Sequence, residues 1–356
     1  MITSESFGKA PSGEDVIRFT LSLDDGRSMS VLSWGATLQG VRVPDHLGVL
    51  NDVVLGYRML GDYVAAPGRL GATMGRFANR IGGAHFEIDG VTYGLFANEN
   101  RNSIHGGQTG FDKKVWTPLS VTDDRNRPAV QFQLVSPDGD EGFPGTLCTS
   151  LEYALDAIDG VVMTYIATTR APTVLNLTNH AYFNLGGEGS GPIDDHVVQI
   201  HADSYLPVGD DLLPTGEIRP VDGSALDFRQ PKPIGRDLRT AEEQLLLGRG
   251  FDHCFCLSRS PGHPILAALV THPSTGRRLE VLTTEPGLQL HSGNVLTGRY
   301  AGLSGRAYRQ TDGFCLEAQH FPDSPNQPGF PTTVLRPGER YQAITIYRFG
   351  TTSCSD

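Results

Sequence analysis

Three short segments carry side chains whose types could exchange protons with a small polar substrate. The first, NSIHGG over 102–107, sets His105 before two glycines, which free a backbone to approach a ligand closely. In the second, TVLNLTNHAYFNL over 173–185, His180 stands among amides, a hydroxyl and two aromatic rings. In the third, GFCLEAQHFPDSPN over 313–326, Glu317 follows an apolar, strand-like run, and a proline-rich loop begins shortly after it. A carboxylate titrates near 4.3 and an imidazole near 6.5, so such residues can divide the work of general base and general acid. Taken singly, each also has a plainer reading: a turn histidine, a hydrogen-bonded core histidine and a solvated glutamate at a strand end.

Other chemistries find no footing. There is no G-x-x-x-x-G-K-[ST] to cradle phosphates and no G-x-S-x-G nucleophile elbow. GGEGSG over 186–191 lacks dinucleotide spacing and opens no helix, so it reads as a loop. DHCFC over 252–256 brings His253, Cys254 and Cys256 together. On a strand, however, the two cysteines share one face and His253 takes the other, and no second pair completes a ligand set, so no metal is expected. Net charge is −11, from 29 basic and 40 acidic residues with no Lys/Arg block, which argues against a nucleic-acid partner. No apolar run is long enough to span a membrane, and the opening MITSESFGKAPSGEDV lacks the marks of a secretory signal. Five scattered cysteines (Cys148, Cys254, Cys256, Cys315, Cys354) suit reduced thiols in a cytoplasmic protein.

The elements that must position these residues are strands. Ile17, Phe19, Leu21 and Leu23 alternate with polar residues, the period of a half-buried strand. AVQFQLVS repeats the pattern with Val130, Phe132 and Leu134 inward, and SLEYAL and VVMTYIATT form a further pair across 156–160. Similar runs follow in HVVQIHA, ILAALVTH, RRLEVLTT and RYQAITIYRF. Asp89-Gly90 between two alternating runs predicts a type I′ hairpin. One short helix is expected over 240–247, with Thr240 as N-cap, Glu243 completing a capping box and Gly248 as terminator. The 43 glycines and 23 prolines supply turns. No linker divides the chain. The reading is all-β: a large antiparallel β-sandwich forming one domain over 1–356.

Taken together, the motifs resemble the aldose 1-epimerase (galactose mutarotase) family. GRFANRI (75–81), NSIHGG, GFDKKVW (110–116), NLTNHAYFNL (176–185), FDH (251–253), PGLQLHSGN (286–294), FCLEAQHFPDSPNQPGFP (314–331) and LRPGE (335–339) occur in the family's order, spanning most of the chain. The resemblance implies a β-sandwich with an open carbohydrate cleft. It implies Glu317 as catalytic base, His180 as general acid and His105 as a second active-site histidine. Asn79, Arg80, Asp252 and Gln289 match residues that hold the sugar, with Arg80 favoured over Arg76 by the motif. Ala318 stands where Thr is common and His291 where an aromatic is common, which touches substrate preference more than reaction.

The implied reaction interconverts α- and β-anomers of free aldoses by opening and reclosing a hemiacetal. One base and one acid suffice, with no cofactor or metal. Glu317 is expected to start ionised and His180 to be kept protonated. Tyr182 or Phe321 could stack on the sugar's C–H face. Two alternatives differ in class. A hexose-6-phosphate 1-epimerase would need an extra basic pocket, and a non-catalytic carbohydrate-binding sandwich would be expected to have lost the base or the acid. The expected partner is an aldose, handled by a monomer or homodimer.

Overall fold

The computed structural model describes residues 1–258 and 262–352, so Cys354 lies outside the described residues. Three antiparallel sheets carry most of the chain. An N-terminal meander pairs Ile2–Lys9, Asp15–Ser22, Ser28–Leu32, Thr37–Pro44 and Leu50–Asp52 in sequence order. The largest sheet has nine strands. Thr117–Thr122, Ala129–Ser136, Leu147–Asp156 and Gly160–Thr169 run consecutively from one edge. The C-terminal strand Tyr341–Thr351 then joins them to Arg277–Thr283, Ile265–Thr271, Val197–Ile200 and Lys232–Pro233. The expected hairpin across 156–160 forms, with Asp156 opposite Gly160.

A six-stranded sheet carries Glu317, Asp252 and Gln289, three of the residues that the resemblance singles out. Its order is Tyr182–Phe183, Phe314–Gln319, Gly287–His291, Asp252–Cys256, Ser204–Leu206 and Arg219–Pro220. Phe314, Leu316, Leu288, Leu290 and Phe255 point from one face into the main core, which they share with Val161, Met163, Val281 and Tyr347 of the nine-stranded sheet. Phe183 seals this junction, its ring 4.9 Å from that of Tyr347. Phe19 and Phe132 join the N-terminal meander to the same core at 5.7 Å. With alternating side chains, the opposite face of Phe314–Gln319 must then carry Cys315, Glu317 and Gln319.

Local signals held unevenly. Asp89 (φ 53°) and Gly90 (φ 80°) both take the positive φ that a type I′ turn requires, between His85–Ile88 and Val91–Gly94. The short helix exists but starts later than expected, at Glu243–Gly248. Glu242 is its N-cap, without a side-chain bond. Thr240 turns its hydroxyl back to the Asp237 carbonyl (2.9 Å), so no capping box forms. Arg249, at φ 54°, rather than Gly248, takes the left-handed terminating position.

Arg76 is a structural residue, as its motif position suggested. It is 2% exposed, and its guanidinium donates to the carbonyls of Pro144 and Gly145 (both 2.8 Å) and to the Ser136 hydroxyl (2.7 Å). Burial pulls its pKa down to about 10. Replacing it strands several buried acceptors, each worth roughly 1–3 kcal/mol. Arg76→Met is therefore expected to lower unfolding free energy by at least ~3 kcal/mol in a denaturant titration; a loss below ~1 kcal/mol would contradict this role.

Candidate active site

Cross-strand register assembles the site. In one row, Tyr182, Cys315, His291 and Asp252 stand opposite one another across four strands. In the next, Glu317, Gln289 and Cys254 do the same. Directly opposed residues share a face, so both rows project toward the same cavity side. Loops bring the rest. Thr178–Asn179 pairs with Thr73–Met74, and the chain beyond is held by His180 N–H to the Ala72 carbonyl and Gly71 N–H to the His180 carbonyl, both 2.9 Å. Arg80–Ile81 pairs with Ser103–Ile104, which sets Asn79 beside His105. Those two residues bond reciprocally: His105 N–H donates to the Asn79 carbonyl (3.0 Å) and Asn79 N–H to His105 Nδ1 (3.1 Å). Both take left-handed backbone, at φ 62° and 53°, conformations that such surroundings must hold in place.

The glycines after His105 serve the protein's own packing rather than a ligand. A side chain on Gly106 would overlap the Gly75 carbonyl, and one on Gly107 would strike the Glu141 carboxylate. Gln108 and Thr109 N–H groups donate to that same carboxylate.

Between these elements lies a cavity of about 240 Å³, below the ~300–1,000 Å³ typical for drug-sized ligands and suited to a monosaccharide. Asn79, Arg80, His105, His180, Asp252 and Glu317 all line it. Gln289 does not; it lies behind Asp252, donating from Nε2 to Oδ1 at 2.6 Å. Tyr182 is on the wall, stacked on His180 at 5.1 Å. Phe321 instead packs edge-on against Phe330 in a neighbouring cluster.

Four polar lining residues escaped the sequence reading as site members. His291 was noted only as a departure from the family pattern. Asn98 anchors the His105 loop through Ile104 and Gly107. Glu99 grips Arg80 through two bonds, 2.5 and 3.0 Å. Arg69, in a left-handed turn at φ 51°, has Asp112 as its ion-pair partner at 3.5 Å; its guanidinium donates no hydrogen bond among the described residues. Nothing periodic marks these positions. Only the clustering of polar residues near the NSIHGG motif could have pointed to Asn98 and Glu99.

Glu317 is 2% exposed, and its Oε2 has no hydrogen-bond partner. Its Oε1 lies 3.6 Å from His180 Nε2. Burial, and then the charge of Asp252, push its pKa well above the usual carboxylate range, against a downward pull from Arg80 and Arg69. Burial pulls His180 down to about 3, helped by His291 and Arg69 and opposed by its own carbonyl and by Asp252. His105 is likewise held well below its ordinary value by burial. Asp252 behaves differently: burial raises it, but His291, Arg80 and the Gln289 bond outweigh that, and it stays low. Both shifts run against the expectation of an ionised glutamate beside a protonated histidine, because a dry pocket disfavours both charges.

Among the described residues two side-chain clusters bring possible metal ligands together. His180, Cys315 and Glu317 have ligand atoms within 4.8 Å of one another, with Cys315 Sγ 3.5 Å from His180 Nδ1. In the cluster of Asp195, His196 and His272, both His196 nitrogens are engaged, by Leu185 N–H and the Ile193 carbonyl.

Comparison with known proteins agrees with this architecture. The sequence model of the aldose 1-epimerase family matches residues 18–348. A galactose mutarotase of Rattus norvegicus is 44% identical over 348 residues, covering 98% of both chains. An aldose 1-epimerase of Escherichia coli is 37% identical over 348 residues, covering 97% of this chain and 99% of that one. The crystal structure of a galactose 1-epimerase from Lactobacillus acidophilus superposes with a TM-score of 0.86 at 30% identity, covering 99% of each. The chain belongs to the aldose 1-epimerase family.

The charges around Glu317 make a two-signed test. Arg69→Met removes a cation and should move the carboxyl titration, followed by ¹³C NMR, upward. Asp252→Asn removes an anion and should move it downward. Shifts of the same sign in both variants would contradict the arrangement.

Proposed function

We propose that Glu317 and His180 are the base and acid of an aldose anomer interconversion, with His105, Asn79, Arg80, Asp252 and Gln289 holding or orienting a free aldose. The chain is an enzyme acting on carbohydrates, an isomerase that interconverts aldose anomers. The observation that carries the assignment is the placement of Glu317 Oε1 3.6 Å from His180 Nε2, on the wall of a monosaccharide-sized cavity.

In ring opening, Glu317 takes the O1 proton as the C1=O1 bond forms. The C1–O5 pair leaves with O5, which receives the Nε2 proton of His180. Rotation about C1–C2 exposes the other face of the aldehyde. O5 returns its proton to His180 and attacks C1, and O1 recovers its proton from Glu317. The reactive pair is charged and the open-chain state leaves it neutral. A raised Glu317 is a stronger base and a depressed His180 a stronger acid, so burial favours each proton transfer of ring opening. Populating the charged pair is the opposing cost. Arg80 and Arg69 ease the carboxylate's share of it, although Arg69 opposes the imidazolium, and sugar hydroxyls can donate to the unpartnered Oε2 of Glu317.

Arg80 is tied to Glu99, and Asp252 stands 3.9 Å from it, which suits neutral hydroxyls that both donate and accept. All the proposed residues come from one chain, so a monomer or a homodimer serves equally. Free thiols at Cys148, Cys254, Cys256 and Cys315 support a cytoplasmic setting. A core cluster running from Phe19 to Tyr347 supports one domain across the chain.

Polarimetry of freshly dissolved α-D-galactose and α-D-glucose tests the reaction. Wild type is expected to accelerate the decay of rotation, and folded Glu317→Gln and His180→Asn to lose at least ~100-fold in kcat. Acceleration that survives in Glu317→Gln would remove Glu317 from the mechanism. With the Glu317 pKa raised and the His180 pKa at about 3, the fraction of enzyme carrying both carboxylate and imidazolium is flat between the two values, so kcat/KM should hold level as pH drops toward about 3 and fall as pH rises through the raised Glu317 pKa. An acid limb near the ordinary carboxylate value of about 4.3 with an alkaline limb near the ordinary histidine value of about 6.5 would contradict the buried acid–base assignment.

A further inference from the structure

Two of the three histidines lining the cavity have their tautomer set by a backbone amide. Asn79 N–H donates to His105 Nδ1 at 3.1 Å, and Gly293 N–H donates to His291 Nδ1 at 3.2 Å. A neutral imidazole carries one N–H, so an Nδ1 that accepts leaves the proton on Nε2. His180 has no such amide. Apart from its own carbonyl, the group that meets its Nδ1 among the described residues is Cys315 Sγ, at 3.5 Å. Cys315 is fully buried and lies two residues before Glu317 on the same strand face. Burial and the nearby Glu317 charge keep its thiol protonated, so it offers one weak donor and weak acceptor lone pairs.

We propose that Cys315 is a positioning residue for His180, its thiol holding Nδ1 so that Nε2 faces Glu317 and the substrate. The S–H donates to the neutral ring. As an imidazolium, and again after Nε2 has given its proton to O5, the ring holds a proton on Nδ1, and rotation about Cβ–Sγ turns the sulfur into its acceptor. Other groups at this point would serve less well. A carboxylate would stabilise the imidazolium and weaken His180 as an acid. His180's own carbonyl can only accept, so it favours a proton on Nδ1, and the thiol is the partner that can also donate to a bare Nδ1. An apolar side chain would leave a buried Nδ1 unpaired. The effect on rate rests on the acid role proposed for His180; the tautomer does not.

Two variants and two readouts test this. Cys315→Ser changes one atom and keeps a donor–acceptor hydroxyl, while Cys315→Ala removes it. Long-range ¹H–¹⁵N NMR of protein carrying ¹⁵N-labelled histidine reports the His180 tautomer directly. The Nε2–H pattern is expected in wild type and in Cys315→Ser, with the Nδ1–H form appearing in Cys315→Ala. By polarimetry, Cys315→Ala should lose about tenfold in kcat with KM within about twofold, and Cys315→Ser should recover most of that loss. The proposal is overturned by an Nδ1–H pattern in wild type or by an unchanged pattern in Cys315→Ala. It is equally overturned if Cys315→Ser is as slow as Cys315→Ala, the result that packing alone would give. If the tautomers come out as expected in a protein that does not accelerate mutarotation, positioning stands and the acid–base reading falls.

Discussion

Much of the molecule is organised around one uncomfortable placement: a glutamate carboxyl on an interior strand, almost without exposure and with no cation bonded to it. The strand tolerates this because its other face is fully committed to the main core through Phe314 and Leu316. The energy that holds Glu317 in place is therefore hydrophobic and comes from the packing of two sheets, not from the polar groups around it. Those groups do something else. Glu99 pairs with Arg80, Asp252 is held low by His291, Arg80 and the Gln289 bond, and burial pulls all three histidines down. Fixed dipoles and distant charges replace water around the carboxyl, which is how a buried acid–base pair gains reactivity at the expense of solvation.

The fold was legible in the sequence where one face of a strand meets core and the other meets water. AVQFQLVS coincides with Ala129–Ser136, whereas SLEYAL covers only the later part of Leu147–Asp156, which starts three residues earlier. The six-stranded sheet was harder. FCLEAQ and GLQLH are buried on both faces, one by core and one by the cleft wall, so alternation there separates apolar from functional rather than inside from outside. Thr240 misled because a hydroxyl three residues before a glutamate fits a capping box equally well when it closes a preceding turn.

The proposed site was legible as motifs and opaque as geometry. Glu317, His180, His105, Arg80, Asn79 and Asp252 converge on one cavity, as the family resemblance implied. Gln289 reaches it only through Asp252. Protonation was not readable, since it depends on how completely neighbours exclude water. Arg69 was invisible for a different reason: a left-handed turn in APGRLGA has no period and no partner nearby in sequence, yet it delivers a guanidinium to the cavity.

The two rows of opposed residues on the six-stranded sheet have an evolutionary corollary. A one-residue insertion in any of those strands would turn its functional side chains into the core and its core side chains into the cleft. Glu317, Asp252 and Gln289 can therefore change only by substitution, one position at a time. Arg69, Glu99 and His105 sit on connections that can lengthen or shorten without inverting anything. Divergence within such a lineage has an uneven grain: the connections can vary by insertion and deletion while the six-stranded sheet keeps its register.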